Sequence, residues 1–153
     1  MQQKTHMIRL NIFRIMLIFT AGGFAYGLIE VSARGFTHIS MGILGGAAMC
    51  LIHMLNRLPH TPLRLFKTLA ISALFITVCE YITGEIVNVQ MGLQIWDYSM
   101  LPMNIDGQVC LPFTLLWFAL SAVGVMFDDF LRIRLMHEKR ILFYTNKKEQ
   151  TAA

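Results

Sequence analysis

Two carboxylates of this sequence stand where they could take part in chemistry. Glu80 lies within an apolar stretch, about 10 Å below its outer end at a rise of about 1.5 Å per residue. An ionised carboxylate at that depth costs on the order of 3 kcal/mol, so Glu80 needs a basic partner, a water-filled cavity or a proton. Asp97 lies in the polar and aromatic run 95–104 that follows. A protonated Glu80 beside an ionised Asp97 would be an acid/base pair, and we take these two as catalytic candidates if the protein is an enzyme.

Other polar and aromatic side chains near these carboxylates are candidates for substrate binding. On the first apolar stretch, spacings of four residues place Tyr26, Glu30 and Arg34 on one helical face. Pairing of Arg34 with Glu30 or Glu80 would neutralise a buried acid at the least cost. The alternative is a packing face that ends in an ordinary Glu and Arg. The further candidates are Glu85 on the third stretch and Trp96, Tyr98, Ser99 and Asn104 in the following loop.

The loop itself has two interpretations. Trp96 and Tyr98 have the amphipathic character of interfacial anchors, which favours an aromatic belt. That role does not explain Asp97, Ser99 and Asn104 in the same run. Irregular backbone at membrane depth must be shielded by protein or water, so the run is either a structural plug or a binding or catalytic loop.

Standard catalytic and cofactor motifs are missing from the sequence. It contains no GxSxG, HExxH, CxxC or GxxxxGK[ST] pattern. Cys50, Cys79 and Cys110 are odd in number, widely spaced, and inside or beside apolar stretches, which favours neither a disulfide framework nor a metal site. We therefore expect no cofactor and no metal, and the sequence leaves enzymatic activity open.

Four apolar stretches must position these residues. Hydrophobic residues make up 56% of the 153 residues and charged residues only 14%, too little polar surface to coat a soluble globule. Because a bilayer core takes about 20 apolar residues per helix, the sequence predicts an all-α, integral membrane four-helix bundle in residues 1–130. A polar extracytoplasmic loop is expected between helices 3 and 4. The predicted spans are about 11–31, 36–55, 65–87 and 109–130.

The basic residues set the predicted orientation. Of the 13 Lys and Arg residues, only Arg34 falls on the side of the predicted loop. The positive-inside rule thus places both termini in the cytoplasm, with the protein in the cytoplasmic (inner) membrane. Residues 131–153 form a basic cytoplasmic tail that we expect to rest on anionic lipid. The net charge of +4 does not indicate nucleic-acid binding, because the basic residues flank apolar stretches instead of forming one face.

Several motifs of the sequence resemble one family. They are GLIE at 27–30, EYITGE at 80–85 and WDYS-x-x-P-x-N-x-x-G at 96–107. On these motifs, roughly residues 20–120 resemble the CmpB-like family of type IV ABC-transporter membrane proteins. Between residues 36 and 42 the sequence departs from the longer connection usual in that family, so loop roles are not carried over there. The resemblance implies a permease, and any ATPase would be a separate subunit because this chain has no nucleotide-binding motif.

Three functions are compatible with the sequence. The first is a small multi-pass transporter component in which Glu30, Glu80 and Glu85 line an acidic cavity that opens to the extracytoplasmic side. The second is a membrane-embedded enzyme that acts on a lipid or lipid-linked substrate at the outer leaflet through Glu80 and Asp97. The third is an assembly or sensory subunit with no chemistry of its own. The expected partners are membrane lipids and either a separate ATPase subunit or further copies of the chain.

Overall fold

The described part of the chain folds into four α-helices, as predicted. The computed structural model describes residues 2–57 and 61–136, and the side chains from residue 11 onward in those ranges. The predicted tail therefore lies largely outside the described residues. The all-α prediction is confirmed. The helices are α1 (Gln2–Arg34), α2 (Ile39–Leu55), α3 (Pro62–Gly84) and α4 (Leu111–Arg134).

Two short elements between α3 and α4 were not predicted from the sequence. A π-helical segment, Glu85–Gln90, continues α3. It is followed by a two-stranded antiparallel hairpin in which β1 (Asn104–Ile105) pairs with β2 (Val109–Cys110). In a π-helix each hydrogen bond spans five residues instead of four, so side chains of Glu85–Gln90 do not continue the α-helical i, i+4 faces of α3.

Local sequence signals explain where the helices begin. Pro62 stands in the first turn of α3, where its missing N–H would have had no partner in any case. The hydroxyl of Thr61 accepts a hydrogen bond from the Arg64 amide at 3.2 Å and caps the same end. At the end of α1, Gly35 adopts a φ of +80°, a left-handed conformation that closes a helix with little strain when the residue is glycine.

Three stretches are long and apolar enough to cross a membrane: Asn11–Arg34, Pro62–Gln90 and Leu111–Arg134. The fourth helix, α2, is also apolar but has only 17 residues, a length of about 25 Å. It begins three residues later than the predicted span because residues 36–38 are not helical and His38 caps the helix in an extended conformation. The shortest helix thus lies between longer neighbours.

Small residues bring α1 and α2 into close contact. A Cβ atom on Gly23 would lie 2.5 Å from the carbonyl oxygen of Gly42, and one on Gly45 would lie 2.5 Å from the Cβ of Tyr26. Glycine at these positions lets the two helices approach closely. The close approach holds the Tyr26 side of α1 against the rest of the bundle, where Tyr26 packs on Trp117 of α4.

Residues of the connecting loop complete the core at the end of the bundle where α3 finishes. Ile95 and Trp96 are buried and pack with Met41 and Leu44 of α2 and Val87 of the π-helical segment. The loop therefore folds back onto the helices. As a result Asp97 and Tyr98, which follow Trp96, lie at the end of the bundle where α3 finishes.

Candidate functional site

Glu80 is enclosed by two neutral hydrogen-bond donors. Its side chain on α3 is only 1% exposed. The indole Nε1 of Trp117 on α4 donates to Oε2 at 2.8 Å, and the hydroxyl of Tyr98 in the loop donates to Oε1 at 3.1 Å. Because both carboxylate oxygens accept a hydrogen bond, part of the cost of burying the acid is offset without a basic partner.

Aromatic rings surround the two donors. Tyr98 stacks on Phe113, with ring centroids 4.4 Å apart and planes tilted by 21°. Trp117 packs between Phe113 and Tyr26, at centroid distances of 6.3 Å and 5.7 Å. Burial, and after it the charge and hydrogen bond of Glu80, raise the pKa of Tyr98 well above its usual range. The phenol therefore stays protonated and remains a donor.

The second acid, Glu30, is held by the predicted cation. Arg34 Nη2 lies 2.6 Å from Glu30 Oε1, so of the two partners that the sequence left open, the structure shows Glu30. Thr37 Oγ1 donates to Glu30 Oε2 at 2.7 Å. The same arginine donates from Nη1 to the carbonyl oxygen of Ile95 at 3.0 Å. Arg34 thereby connects the end of α1 to the start of the loop.

Tyr26 lies between the two acids. Its hydroxyl is 3.4 Å from Glu30 Oε1, and its ring packs on Trp117, which binds Glu80. The structure thus brings Tyr26, Glu30, Arg34, Glu80 and Tyr98 into one connected network of α1, α3, α4 and the loop. We call this set, with Trp117, the outer network.

Asp97 occupies a different environment from Glu80. Its carboxylate is exposed, and Oδ1 accepts a hydrogen bond from the Ser99 amide at 2.8 Å. The hydrogen bonds from the Ser99 backbone and side chain lower the pKa of Asp97 below its usual value. Asn104 Nδ2 donates to the carbonyl oxygens of Ser99 and Leu101 at 3.1 Å and 2.8 Å. Asp97, Ser99 and Asn104 therefore shape an exposed turn, and their hydrogen bonds are made within the loop.

Trp96 acts as an anchor of the loop. It is buried, and its Nε1 donates to the carbonyl oxygen of Gln108 at 2.9 Å. Asn88 joins the same structure, since its Oδ1 accepts from the Ile95 amide at 2.7 Å and its Nδ2 donates to Gln108 Oε1 at 2.9 Å. Sequence reasoning did not single out Gln108. It is buried and directly follows Gly107, whose positive φ of +70° places it in a turn.

The last candidate, Glu85, is not part of the outer network in this structure. It lies half-buried on the π-helical segment, and its carboxylate makes no hydrogen bond with the described residues. Nearby in the chain, Tyr81 donates from its hydroxyl to Asp106 Oδ2 at 3.1 Å. Glu85 and Asp106 therefore belong to the surface around the loop.

A second buried polar cluster, which sequence reasoning missed, joins α2 to α4. Asp128 of α4 is fully buried. Its Oδ1 lies 2.7 Å from His53 Nδ1, and its Oδ2 accepts from Asn56 Nδ2 at 2.8 Å. We call His53, Asn56 and Asp128 the inner cluster. The signal for it was a histidine and an aspartate, each inside an apolar stretch where a polar residue needs a partner.

Basic residues border the inner cluster. Arg57 Nη2 lies 3.3 Å from His53 Nε2, so a hydrogen bond there requires that this nitrogen accept and that Nδ1–H donate to Asp128. Arg132 Nη1 donates to the carbonyl oxygen of Asn56 at 3.1 Å. The cluster thus ties the ends of two helices together through side-chain and backbone groups.

The cavities of the described residues are mainly apolar. One of them has a volume of about 340 Å³ and is lined mainly by residues of α1, α2 and α4. Small and apolar residues line it, among them Gly22, Ala25, Gly45, Ala48, Leu120 and Gly124. Glu80 is not among its lining residues, because Trp117 stands between. Within the described ranges, no group of three or more His, Cys, Asp or Glu residues is placed to hold a metal ion.

The three long apolar helices fit a multi-pass membrane protein. The chain belongs to the family described as Putative ABC-transporter type IV, whose profile matches residues 19–145. No curated protein and no solved structure matches it. The match covers all of the outer network and the inner cluster, and the resemblance drawn from the sequence motifs is confirmed at the level of the family.

Proposed function

We propose that this protein is the membrane-embedded permease subunit of an ABC transporter, with four spans and both termini in the cytoplasm. Membership of the family and three helices of membrane-spanning length support a transport role. The chain has no nucleotide-binding motif, so a separate ATPase subunit would supply the energy. Four helices make a narrow bundle, which favours assembly with that subunit or with further copies of the chain.

The enclosure of Glu80 is the observation that supports this function best. One of its two hydrogen-bond donors, Tyr98, belongs to the loop, whereas the other, Trp117, belongs to α4. Withdrawal of the loop would remove Tyr98 and expose Glu80 to the extracytoplasmic side. Glu30 lies on the other side of Tyr26 and would join Glu80 in an acidic cavity. The described structure is then the closed state of this site.

The chemistry of the closed site favours a positively charged cargo. A carboxylate whose neighbours are Tyr and Trp rings provides both an opposite charge and π-faces that attract a cation. No lysine or arginine lies between residues 68 and 131, so cations entering through the loop would not be repelled by a positive side chain of that part of the chain. Arg34 is already paired with Glu30.

Transport is tested in proteoliposomes that contain the protein with its copurified ATPase subunit. Glu80→Gln keeps the size of the side chain and one of its two acceptor oxygens but removes its charge, so cation uptake should fall at least about tenfold if that charge binds cargo. Glu85→Gln is the matched control, since it removes a carboxylate that lies outside the outer network. Equal uptake by Glu80→Gln and wild type would exclude Glu80 as the cargo site.

The enzymatic alternative needs Glu80 and Asp97 to act on one substrate. Glu80 is buried and hydrogen-bonded to Trp117 and Tyr98, whereas Asp97 is exposed and bonded to Ser99. The contacts of this structure therefore give the alternative less support than transport. Turnover of a purified lipid-linked substrate that is lost in Asp97→Asn would establish it in place of the permease.

A further inference from the structure

The tip of the loop presents large apolar side chains to its surroundings. Met100 is 93% exposed, Met103 is 73% exposed and Ile105 is 58% exposed. We call these three residues the apolar tip. They lie in the connection between α3 and α4. Exposed apolar side chains grouped within one short segment are typical of interaction sites, and methionine in particular adapts to varied partners.

Hydrogen bonds on both sides hold the apolar tip in place. Asn104 donates to the carbonyl oxygens of Ser99 and Leu101 and accepts from the Gly107 amide at 3.2 Å. The Tyr98 amide donates to the carbonyl oxygen of Gly107 at 2.8 Å, which closes the base of the turn. The tip is therefore pre-organised, and a partner that binds it does not have to order the loop.

The charges around the apolar tip are negative. Asp97 and Asp106 are both exposed and lie within four residues of the tip, one on each side. Lys and Arg are missing from residues 68–131, and Arg34, beside the start of the loop, is bound to Glu30. This surface repels anionic lipid headgroups and attracts a partner that combines basic and apolar groups.

We infer that the apolar tip, with Asp97 and Asp106 at its sides, is a docking surface for a basic amphipathic peptide segment. The segment would lay its apolar face on Met100, Met103 and Ile105 and set its basic residues against the two aspartates. The inference rests on the outward orientation of the loop in the proposed function. It does not depend on transport, because docking is measured without ATP.

The test uses the full-length protein in nanodiscs of zwitterionic lipid and two synthetic helical peptides. One peptide is built from Lys and Leu, and the other carries Glu in place of Lys with the same apolar face. We expect the Lys/Leu peptide to bind and the Glu/Leu peptide not to bind. The affinity of the Lys/Leu peptide should fall as the salt concentration rises, since exposed charges are screened.

Two double variants separate the apolar and the charged contributions. Met100→Ser with Met103→Ser should weaken binding of the Lys/Leu peptide at least about tenfold, and Asp97→Asn with Asp106→Asn about threefold. The matched control is Met54→Ser with Met126→Ser, because those methionines are also exposed but lie elsewhere on the helices. The differences are read against wild type in the same nanodiscs, so that peptide partitioning into lipid cancels.

Two results would overturn the inference. One is binding that the serine substitutions at the tip leave unchanged or that does not distinguish the two peptides. The other comes from a benzoylphenylalanine photo-crosslinker at position 100. Adducts with the peptide support docking, whereas adducts with lipid alone show that the tip rests in the bilayer. Loss of peptide binding with intact cation flux would overturn the docking surface but not the proposed function. Peptide binding without cation flux would overturn the proposed function but not the docking surface.

Discussion

The outer network and the inner cluster supply hydrogen bonds to a buried carboxylate from different kinds of donors. Each buries a carboxylate, Glu80 in one and Asp128 in the other. Glu80 takes its hydrogen bonds from neutral aromatic side chains, one of which stands on a loop. Asp128 takes its hydrogen bonds from His53 of α2 and from Asn56, which directly follows α2. The first arrangement joins two helices and a loop, and the second joins α4 to the end of α2.

This difference has a consequence for motion. Separating the inner cluster would require α2 and α4 to move apart and leave Asp128 buried without partners, which is costly. Separating Tyr98 from Glu80 requires movement of the loop and loses one hydrogen bond and the stacking of Tyr98 on Phe113. We therefore expect the bundle to open at the outer network and to keep the inner cluster intact.

The largest effect is expected at Asp128. Asp128→Ala removes the acceptor of both His53 and Asn56 inside the protein, and the free energy of unfolding should fall by about 3 kcal/mol. Denaturation of the purified protein in mixed micelles measures it. Asp129→Ala is the control, since Asp129 is only half-buried and accepts one bond from Asn56, at 2.9 Å; its loss should be below about 1 kcal/mol. Equal losses would remove the distinction between the two carboxylates.

A smaller effect is expected at Arg34. Arg34→Gln breaks the 2.6 Å ion pair with Glu30 and the bond to the Ile95 carbonyl oxygen. The pair is partly exposed, so the expected loss of unfolding free energy is about 1–2 kcal/mol. Hydrogen exchange should rise at the start of the loop. Arg34→Lys keeps the charge without the planar fork and should recover only part of the loss. Unchanged folding and exchange in Arg34→Gln would show that the pair does not fasten the loop.

Sequence reasoning could predict what is local. The helices follow from apolar stretches and from signals such as Thr61 and Pro62, and the Glu30–Arg34 pair follows from a four-residue spacing. The Tyr98–Glu80 and His53–Asp128 contacts join residues 18 and 75 positions apart. Such contacts depend on how helices and loop pack, which a single sequence does not specify. The same holds for Trp117, whose hydrogen bond to Glu80 joins residues 37 positions apart.

The closure at Tyr98 should be weaker than either contact above. Tyr98→Phe keeps the ring on Phe113 and removes the hydrogen bond to Glu80, so the expected loss is about 1 kcal/mol. If the loop closes the site, this variant should also increase the rate at which a carboxyl-directed reagent modifies Glu80. Tyr81→Phe is the control, because Tyr81 bonds Asp106 outside the outer network. Equal modification rates in wild type and Tyr98→Phe would contradict a closing role for Tyr98.

The smallest effect is expected from titration of Asp97. Hydrogen bonds from Ser99 lower its pKa in the folded protein, so its contribution to stability is fully present above the unfolded value of about 3.9. The contribution is lost as pH falls through the lower folded pKa. Asn in its place can still accept from the Ser99 amide but does not titrate, so Asp97→Asn should flatten this acid-side loss of loop protection. Other acids titrate in the same range, and only the difference between wild type and Asp97→Asn reports on this turn. Identical acid profiles would mean that the Asp97–Ser99 bond does not stabilise the loop.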